Sequence, residues 1–184
     1  RFGVIFGTTE EQAFMTGTGA GQPLGLFVAN ANGLNTDRDL STGNGTTTIS
    51  ADNLRRNKYN LKAQYRSRPS TRWLFNRTVV RDISLLKDGD GQYLWRAGLA
   101  GTDPDTIEGI PVLESEYASN TMTTGLYVGL IGDLSQYYIV DSLAFSIQRL
   151  VELYAATNET GFIGRLECDG KPVLSEAFSR VTLA

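Results

Sequence analysis

Along this chain the spacing of hydrophobic positions is that of a strand in some stretches and that of a helix in others. The clearest change from one to the other lies in residues 65–112. The run RWLF at residues 72–75 is short and mostly apolar, as in a buried strand, and Pro69 excludes a helix that continues into it. Asn76 follows, with a side-chain oxygen suited to capping a helix. The apolar positions after it recur at helical spacing and are Val79, Val80, Ile83 and Leu86. The pattern predicts a strand, a cap and a helix in that order.

Two further helices are predicted upstream. An apolar stripe formed by Phe2, Ile5 and Phe6 has no cap before it, so we expect the chain to begin within a helix. Ser50 is a suitable N-cap for a second helix, which ends before Pro69 and buries Leu54, Leu61 and Tyr65. The polar residues 30–48 between these helices predict an exposed loop or a short flexible hairpin.

Strand patterns dominate the second half of the chain. Residues 106–112 predict one strand, with Pro111 placing it at an edge or an end of a sheet. Residues 126–131 form a compact apolar strand, and residues 145–149 alternate as a half-buried strand does. Residues 162–168 lead into Asp169-Gly170, a turn that predicts a hairpin of two adjacent strands. The predicted fold class is therefore α+β.

Composition narrows the class of protein. With 184 residues, 41% hydrophobic and 20% charged, the chain can bury one sizeable core, and no apolar run approaches the roughly 20 residues that cross a bilayer. The net charge of -3 is unfavourable for a nucleic-acid binder, although nine Lys or Arg residues and no acidic residue lie in residues 55–81. A solvated helix surface or a partner contact is the favoured interpretation of this basic run, with direct contact to DNA a minor alternative.

Few residues are suited to catalysis or metal binding. The chain has no histidine and a single cysteine, Cys168, which excludes His-dependent nucleophilic catalysis, an intramolecular disulfide and the usual zinc sites. The glycine-rich residues 17–25 do not have the spacing of a dinucleotide or Walker loop. The acidic pairs Asp88 with Asp90 and Asp103 with Asp105 lie beside turn residues, and we expect them to form turns. We expect no catalytic residue, cofactor or metal.

The order of several short motifs resembles the major capsid proteins of tailed phages, which have the Hong Kong 97-type fold. The motifs are Trp73-x-x-Asn76, Leu86-Lys87-Asp88, Gly91-x-Tyr93-Leu94-Trp95, Gly109-x-Pro111-Val112, Gly132-Asp133-Leu134, Tyr137-x-Ile139-x-Asp141, Asp169-Gly170 and Ala177-Phe178. Each consists of a few common residues, but together they cover almost the whole chain in the family's order.

The resemblance implies a structural, non-enzymatic subunit of a phage or prophage icosahedral shell. It implies an axial lobe, here 23–142 and 171–184, with a mixed sheet and flanking helices around five-fold and six-fold positions. It also implies a smaller peripheral lobe, here 1–22 and 143–170, with the remnant of a spine helix and long strands. The amino-terminal arm and extended hairpin loop that precede the spine helix in the family are not expected in this chain.

The resemblance also indicates residues and partners. The expected axial core comprises Trp73, Phe75, Val79, Ile83 and Trp95, and the expected subunit-contact loop carries Tyr117, Asn120 and Met122. Expected partners are copies of the chain in pentamers and hexamers, scaffold and portal proteins, and packaged DNA weakly if at all. The expected location is the virion capsid, after the bacterial cytoplasm.

Two other classes of function remain open from the residues alone. The Asp-rich turns would suit a carbohydrate- or calcium-dependent binding module, and, with less support, a carboxylate-based hydrolase. Convergent carboxylates in a concave pocket would favour either of these classes over a capsid subunit.

Overall fold

The computed structural model describes residues 2–94, 105–150 and 158–184, which form four helices and eight strands. The helices are α1 (Phe2–Thr16), α2 (Ala51–Asn60), α3 (Ala63–Arg66) and α4 (Arg77–Ser84). The strands are β1 (Asp39–Leu40), β2 (Thr71–Phe75), β3 (Thr106–Ile107), β4 (Ile110–Glu114), β5 (Tyr127–Asp133), β6 (Tyr137–Leu150), β7 (Gly161–Pro172) and β8 (Phe178–Thr182). No helix in these ranges has the length and apolarity needed to span a membrane.

Six strands form a mixed sheet in the order β1-β8-β5-β2-β4-β3. The pairs β1 with β8 and β2 with β4 are parallel, and the remaining pairs are antiparallel. Among the described residues, strands β6 and β7 pair only with each other and leave this sheet as a long two-stranded arm. The predicted α+β class with a mixed sheet is confirmed.

The core is divided between the two faces of the six-stranded sheet, because adjacent residues of a strand point to opposite sides. Trp73 and Phe75 of β2 belong to one buried cluster, together with Val79 and Ile83 of α4, whereas Leu74 belongs to the other. The two aromatic rings stack with centroids 5.5 Å apart. Of the five expected core residues, Trp95 lies outside the described residues.

The second predicted helix is divided. Ser50 caps α2 as expected, since its hydroxyl accepts from the amides of Asp52 and Asn53, but the helix ends at Asn60. Leu61 has an extended backbone and is only 2% exposed, and the short α3 follows it. The predicted burial of Leu61 is confirmed, but the prediction of one continuous helix is wrong, because the chain turns at this residue.

The prediction of one strand over residues 106–112 is wrong, because β3 and β4 form a tight hairpin. Glu108 and Gly109 both have positive φ, 53° and 77°, as in a two-residue turn between paired strands. Positive φ is costly for glutamate, but Glu108 makes ion pairs with Arg55 and Lys58 of α2. Tertiary contacts therefore stabilise a turn that its residue types did not indicate.

The predicted hairpin at Asp169-Gly170 is also wrong. Strand β7 continues through both residues to Pro172, with Gly170 opposite Ile139 of β6. A Cβ atom at Gly170 would lie 3.0 Å from the ring of Tyr137 and 3.3 Å from that of Phe14. The glycine permits close packing of these rings and does not form a turn.

The polar stretch 30–48 is less exposed than predicted. Leu34 within it is fully buried, and β1 is paired with β8. The buried guanidinium of Arg180 donates to Asp39, with 2.6 Å between Nε and Oδ1, and Arg180 Nη2 donates to the carbonyl of Asn35. This stretch therefore packs along one edge of the six-stranded sheet.

Candidate assembly interface

The contact loop was expected at residues 114–125, and in the structure residues 115–126 connect β4 to β5. We call residues 115–126 the contact loop. Asn120 is exposed at its surface, whereas Tyr117 and Met122 are half-buried and Met122 packs against the main core cluster. Asn120 is therefore available to a neighbour directly, while Met122 also holds the loop to its own fold.

Asn76 organises the contact loop, a role that was not predicted from the sequence. Its Oδ1 accepts from the amide of Thr78 at 3.1 Å, which is the predicted helix cap. Its Nδ2 lies 3.2–3.3 Å from the carbonyl oxygens of Ser115, Glu116 and Ala118. A cap requires only an acceptor, so the choice of asparagine over serine or aspartate was the one available indication of this second role.

The two-stranded arm packs against α1 on one face. The rings of Phe6 and Phe145 meet edge to face at 5.2 Å, and those of Phe14 and Tyr137 at 5.8 Å. The hydroxyl of Tyr137 also donates to the carbonyl of Leu24 at 3.1 Å. Aromatic contacts therefore join helix, arm and the glycine-rich segment at the base of the arm.

The other face of the arm has no covering element in the described ranges, and we call it the open face. Residues directly opposite each other in the ladder share a face, so Tyr138, Val140 and Leu143 of β6 lie beside Lys171, Asp169 and Glu167 of β7, respectively. Tyr138 is 56% exposed and Val140 is 65% exposed. The open face thus combines an apolar row with a charged row, as exposed interaction surfaces commonly do.

The glycine-rich residues 17–25 allow two backbone segments to cross. A Cβ atom at Gly17 would lie 2.2 Å from the carbonyl oxygen of Pro23, and one at Gly25 would lie 2.5 Å from that of Met15. The amides of Leu26 and Phe27 donate to carbonyls at the end of α1. These glycines do not have the spacing of a phosphate-binding loop, and the close crossing of the two backbone segments explains why glycine is needed there.

Comparison with known proteins decides between the classes of function. The model of the phage capsid family matches residues 1–183. The chain belongs to the phage capsid family. No curated protein sequence is significantly similar to this capsid chain.

Three solved structures share the fold of the capsid chain. The capsid of the empty GTA particle has a TM-score of 0.83 and 24% identity over 100% of this chain and 64% of its own. The Gordonia phage Cozz structure has a TM-score of 0.63 and 13% identity over 97% of this chain and 60% of its own. The SrpI encapsulin complex of Synechococcus elongatus PCC 7942 has a TM-score of 0.55 and 13% identity, over 97% of this chain and 61% of its own. The Hong Kong 97-like fold is confirmed, and the chain spans less than two thirds of the length of these structures.

The basic run of the capsid chain is largely neutralised by ion pairs. Six of its nine cations lie within ion-pair distance of a carboxylate: Arg55 and Lys58 with Glu108, Lys62 with Glu176, Arg68 with Asp133, Arg77 with Glu116, and Arg81 with Asp82. Hydrogen bonding from Arg55, aided by the charge of Lys58, lowers the pKa of Glu108. This pairing leaves little free positive charge for phosphates, which supports the interpretation as a solvated helix surface over DNA contact.

The Asp-rich turns do not support a binding module. Asp88 Oδ1 accepts from the amides of Asp90 and Gln92 within its own turn, and Asp103 lies outside the described residues. No group of three or more His, Cys, Asp or Glu side chains that could hold a metal is present in the described part of the chain. The apolar cleft bounded by Leu54, Ile83 and Ile107 has a volume of about 140 Å³, well below that of ordinary ligand pockets.

Cys168 lies half-buried in β7, on the face of the arm that α1 covers. Burial raises the pKa of its thiol, and the neighbouring carboxylates of Glu10, Asp141 and Asp169 raise it further. A thiol with a raised pKa is a poor nucleophile at neutral pH. Its environment is that of a packing residue.

Proposed function

We propose that this chain is a shell-forming structural subunit of a phage or prophage icosahedral capsid, acting by repeated contact between copies and not by turnover. Membership of the phage capsid family carries this proposal. In it, copies of the complete protein form pentamers and hexamers that enclose the genome. Scaffold and portal proteins are further partners, packaged DNA is contacted weakly if at all, and subunits reside in the bacterial cytoplasm before they enter the virion shell.

The open face of the arm is the first surface that we assign to contact between copies. Three apolar side chains, Tyr138, Val140 and Leu143, are 39–65% exposed there beside a row of charged side chains of both signs. Burying such side chains against another subunit gains about 25 cal/mol for each Å² removed from water. A second copy is a suitable occupant because homomeric assemblies reuse the same patches on every subunit.

The contact loop is the second assigned surface, with Tyr117, Asn120 and Met122 facing neighbours around the five-fold and six-fold axes. The division into a peripheral lobe, 1–22 and 143–170, and an axial lobe, 23–142 and 171–184, belongs to the same proposal. The separate pairing of β6 with β7 supports two lobes, although the base of the arm, with Tyr138, Val140 and Lys171, falls within the axial bounds. The two surfaces would then serve different contacts, the arm between capsomers and the loop within them.

Electron microscopy and sedimentation of the complete gene product, expressed alone and with its scaffold, test the proposal. We expect rings or closed shells. A complete protein that stays monomeric under every assembly condition would overturn the proposed function.

Substitution of the open face tests the arm separately. Val140→Glu places a charge in the apolar row and should raise the dissociation constant of the contact by about tenfold, the effect of losing roughly 1.4 kcal/mol. Leu85→Glu is the matched control, because Leu85 is 53% exposed at the end of α4 and remote from the arm. Equal assembly of the two variants would refute the role of the open face.

A further inference from the structure

Asn76 makes more hydrogen bonds than its helix requires. The side chain is only 1% exposed, and its two amide hydrogens are shared among the carbonyl oxygens of Ser115, Glu116 and Ala118. These carbonyls belong to the first four residues of the contact loop, which has no helix or strand of its own. One buried side chain therefore satisfies three of the four backbone carbonyls at the base of this loop.

Ser115 extends this network in two directions. Its amide donates to the carbonyl of Phe75 at 2.9 Å, and its hydroxyl oxygen accepts from the amide of Tyr117 at 3.3 Å. The same hydroxyl donates to Glu11 Oε1 of α1 at 2.7 Å, across 104 positions of sequence. The base of the loop is thereby attached to the helix that packs against the arm.

The exposed end of the loop is held by the same helix cap. Thr78 Oγ1 lies 3.0 Å from Asn76 Oδ1 and 3.2 Å from the carbonyl oxygen of Asn120. Thr121 in turn donates its hydroxyl to the side-chain oxygen of Asn120. The polar groups of residues 115–121 are thus largely engaged with one another and with α4 before any neighbour is present.

We propose that Asn76 and Ser115 form a brace that holds the contact loop in the shape required for subunit contact and fastens it to α1. This inference rests on the proposed function, in which the loop meets neighbouring subunits. A loop that is already ordered loses less conformational entropy on contact, so the brace lowers the cost of association. Asn76 and Ser115 act as positioning residues, since the brace works through the loop and touches no neighbour itself.

Asn76→Ser in the complete protein separates the two roles of this side chain. Serine still caps a helix, but it cannot reach three loop carbonyls. We expect amide hydrogen exchange in residues 116–121 to accelerate by about tenfold and the concentration required for assembly to rise by about tenfold, in line with the loss of one or two hydrogen bonds. Exchange in α4 should change little.

Ser50→Ala is the matched control, because it removes the N-cap of α2 without touching the loop. It should lower the melting temperature to a similar extent and leave loop exchange and the assembly concentration as in the wild type. If Asn76→Ser exchanges and assembles as Ser50→Ala does, the brace has no role beyond stability and the proposal is wrong.

Ser115→Ala provides an independent test, and it replaces Asn76→Ser should that variant not fold. It removes the bond to Glu11 and should raise loop exchange and the assembly concentration in the same direction, whereas wild-type values of both would overturn the proposal. The proposed function alone would be contradicted if loop exchange accelerated in the variants but the wild-type protein never assembled. Exchange is measured on the unassembled subunit and therefore reports the brace directly.

Discussion

Trp73 is the side chain whose loss should affect folding most. It is fully buried in β2, between Val112 of β4 and Ile131 of β5 in the sheet register. Its ring stacks on Phe75 at 5.5 Å, and its indole Nε1 donates to the carbonyl of Ile107 at 3.0 Å. Trp73→Ala therefore removes a central packing element and a hydrogen bond to the edge hairpin together.

The expected cost follows from these two contributions. Replacing a buried tryptophan by alanine typically lowers the free energy of unfolding by about 3–5 kcal/mol. The carbonyl of Ile107 also loses its donor, and a buried acceptor without a partner adds a cost on the order of 1–3 kcal/mol where water cannot reach it. Because domains are stable by only about 5–15 kcal/mol, this variant should be largely unfolded or close to it at 25 °C.

Urea unfolding followed by far-UV circular dichroism measures the effect. Trp73→Phe is an informative companion, because it retains an aromatic ring beside Phe75 but lacks the indole donor, and it should cost less than Trp73→Ala. Asp88→Ala is the control, with an expected change within about 0.5 kcal/mol, since the exposed Asp88 side chain accepts, in the part of the chain that the structure describes, only from amides of its own turn. A Trp73→Ala protein within about 1 kcal/mol of the wild type would show that the centre of the core lies elsewhere.

Substitutions at Gly129, Asp133 and Tyr137 probe core packing, stability in acid and the base of the arm, respectively. Gly129→Ala should lower the free energy of unfolding in urea by about 1–3 kcal/mol, because the added Cβ would lie 1.9 Å from the ring of Phe75. Gly89→Ala is the control and should be close to neutral, because its Cβ meets nothing within 4 Å. Equal effects of the two substitutions would contradict this packing. Burial tends to raise the pKa of Asp133, but hydrogen bonds from Ser70 and Ser135 and the charge of Arg68 outweigh it and lower the pKa, so the ionised carboxylate contributes stability that is lost as pH falls through and below the ordinary value of 3.8. Asp133→Asn should therefore be less stable at neutral pH and show a flatter loss of stability in acid, and an unchanged pH profile in urea titrations would refute the assignment. Tyr137→Phe loses only the bond to Leu24 and should cost about 1 kcal/mol, whereas Tyr137→Ala also loses the contact with Phe14 and should cost clearly more; thermal melts that rank them in the opposite order would count against a packing role.

Local chemistry explains which elements the sequence could predict. The caps at Ser50 and Asn76 and the strand at residues 72–75 depend on side chains and backbone groups within about four positions of each other. The helical spacing of Val79, Val80 and Ile83 likewise identified the buried side of α4. Patterns of this kind are visible in one stretch of sequence.

The incorrect predictions concern local structures that depend on residues far away in the sequence. The turn at Glu108 depends on Arg55 and Lys58, about 50 positions upstream, and the straight course of β7 through Gly170 depends on the ring of Tyr137. The second role of Asn76 is of the same kind, because its amide meets carbonyls about 40 positions downstream. For the candidate interface, the sequence indicated the contact loop but not the side chain that holds it.

The short outer strands of the six-stranded sheet bear on how copies can join. In the described part of the chain, the sheet is bordered by β1 and β3, each two residues long, and the buried pair of Arg180 with Asp39 keeps β1 in place along β8. Such short borders offer little unpaired backbone to which another chain could add a strand. Growth into fibres by edge-to-edge pairing of this sheet is therefore disfavoured, and association through this part of the molecule is directed to side-chain surfaces.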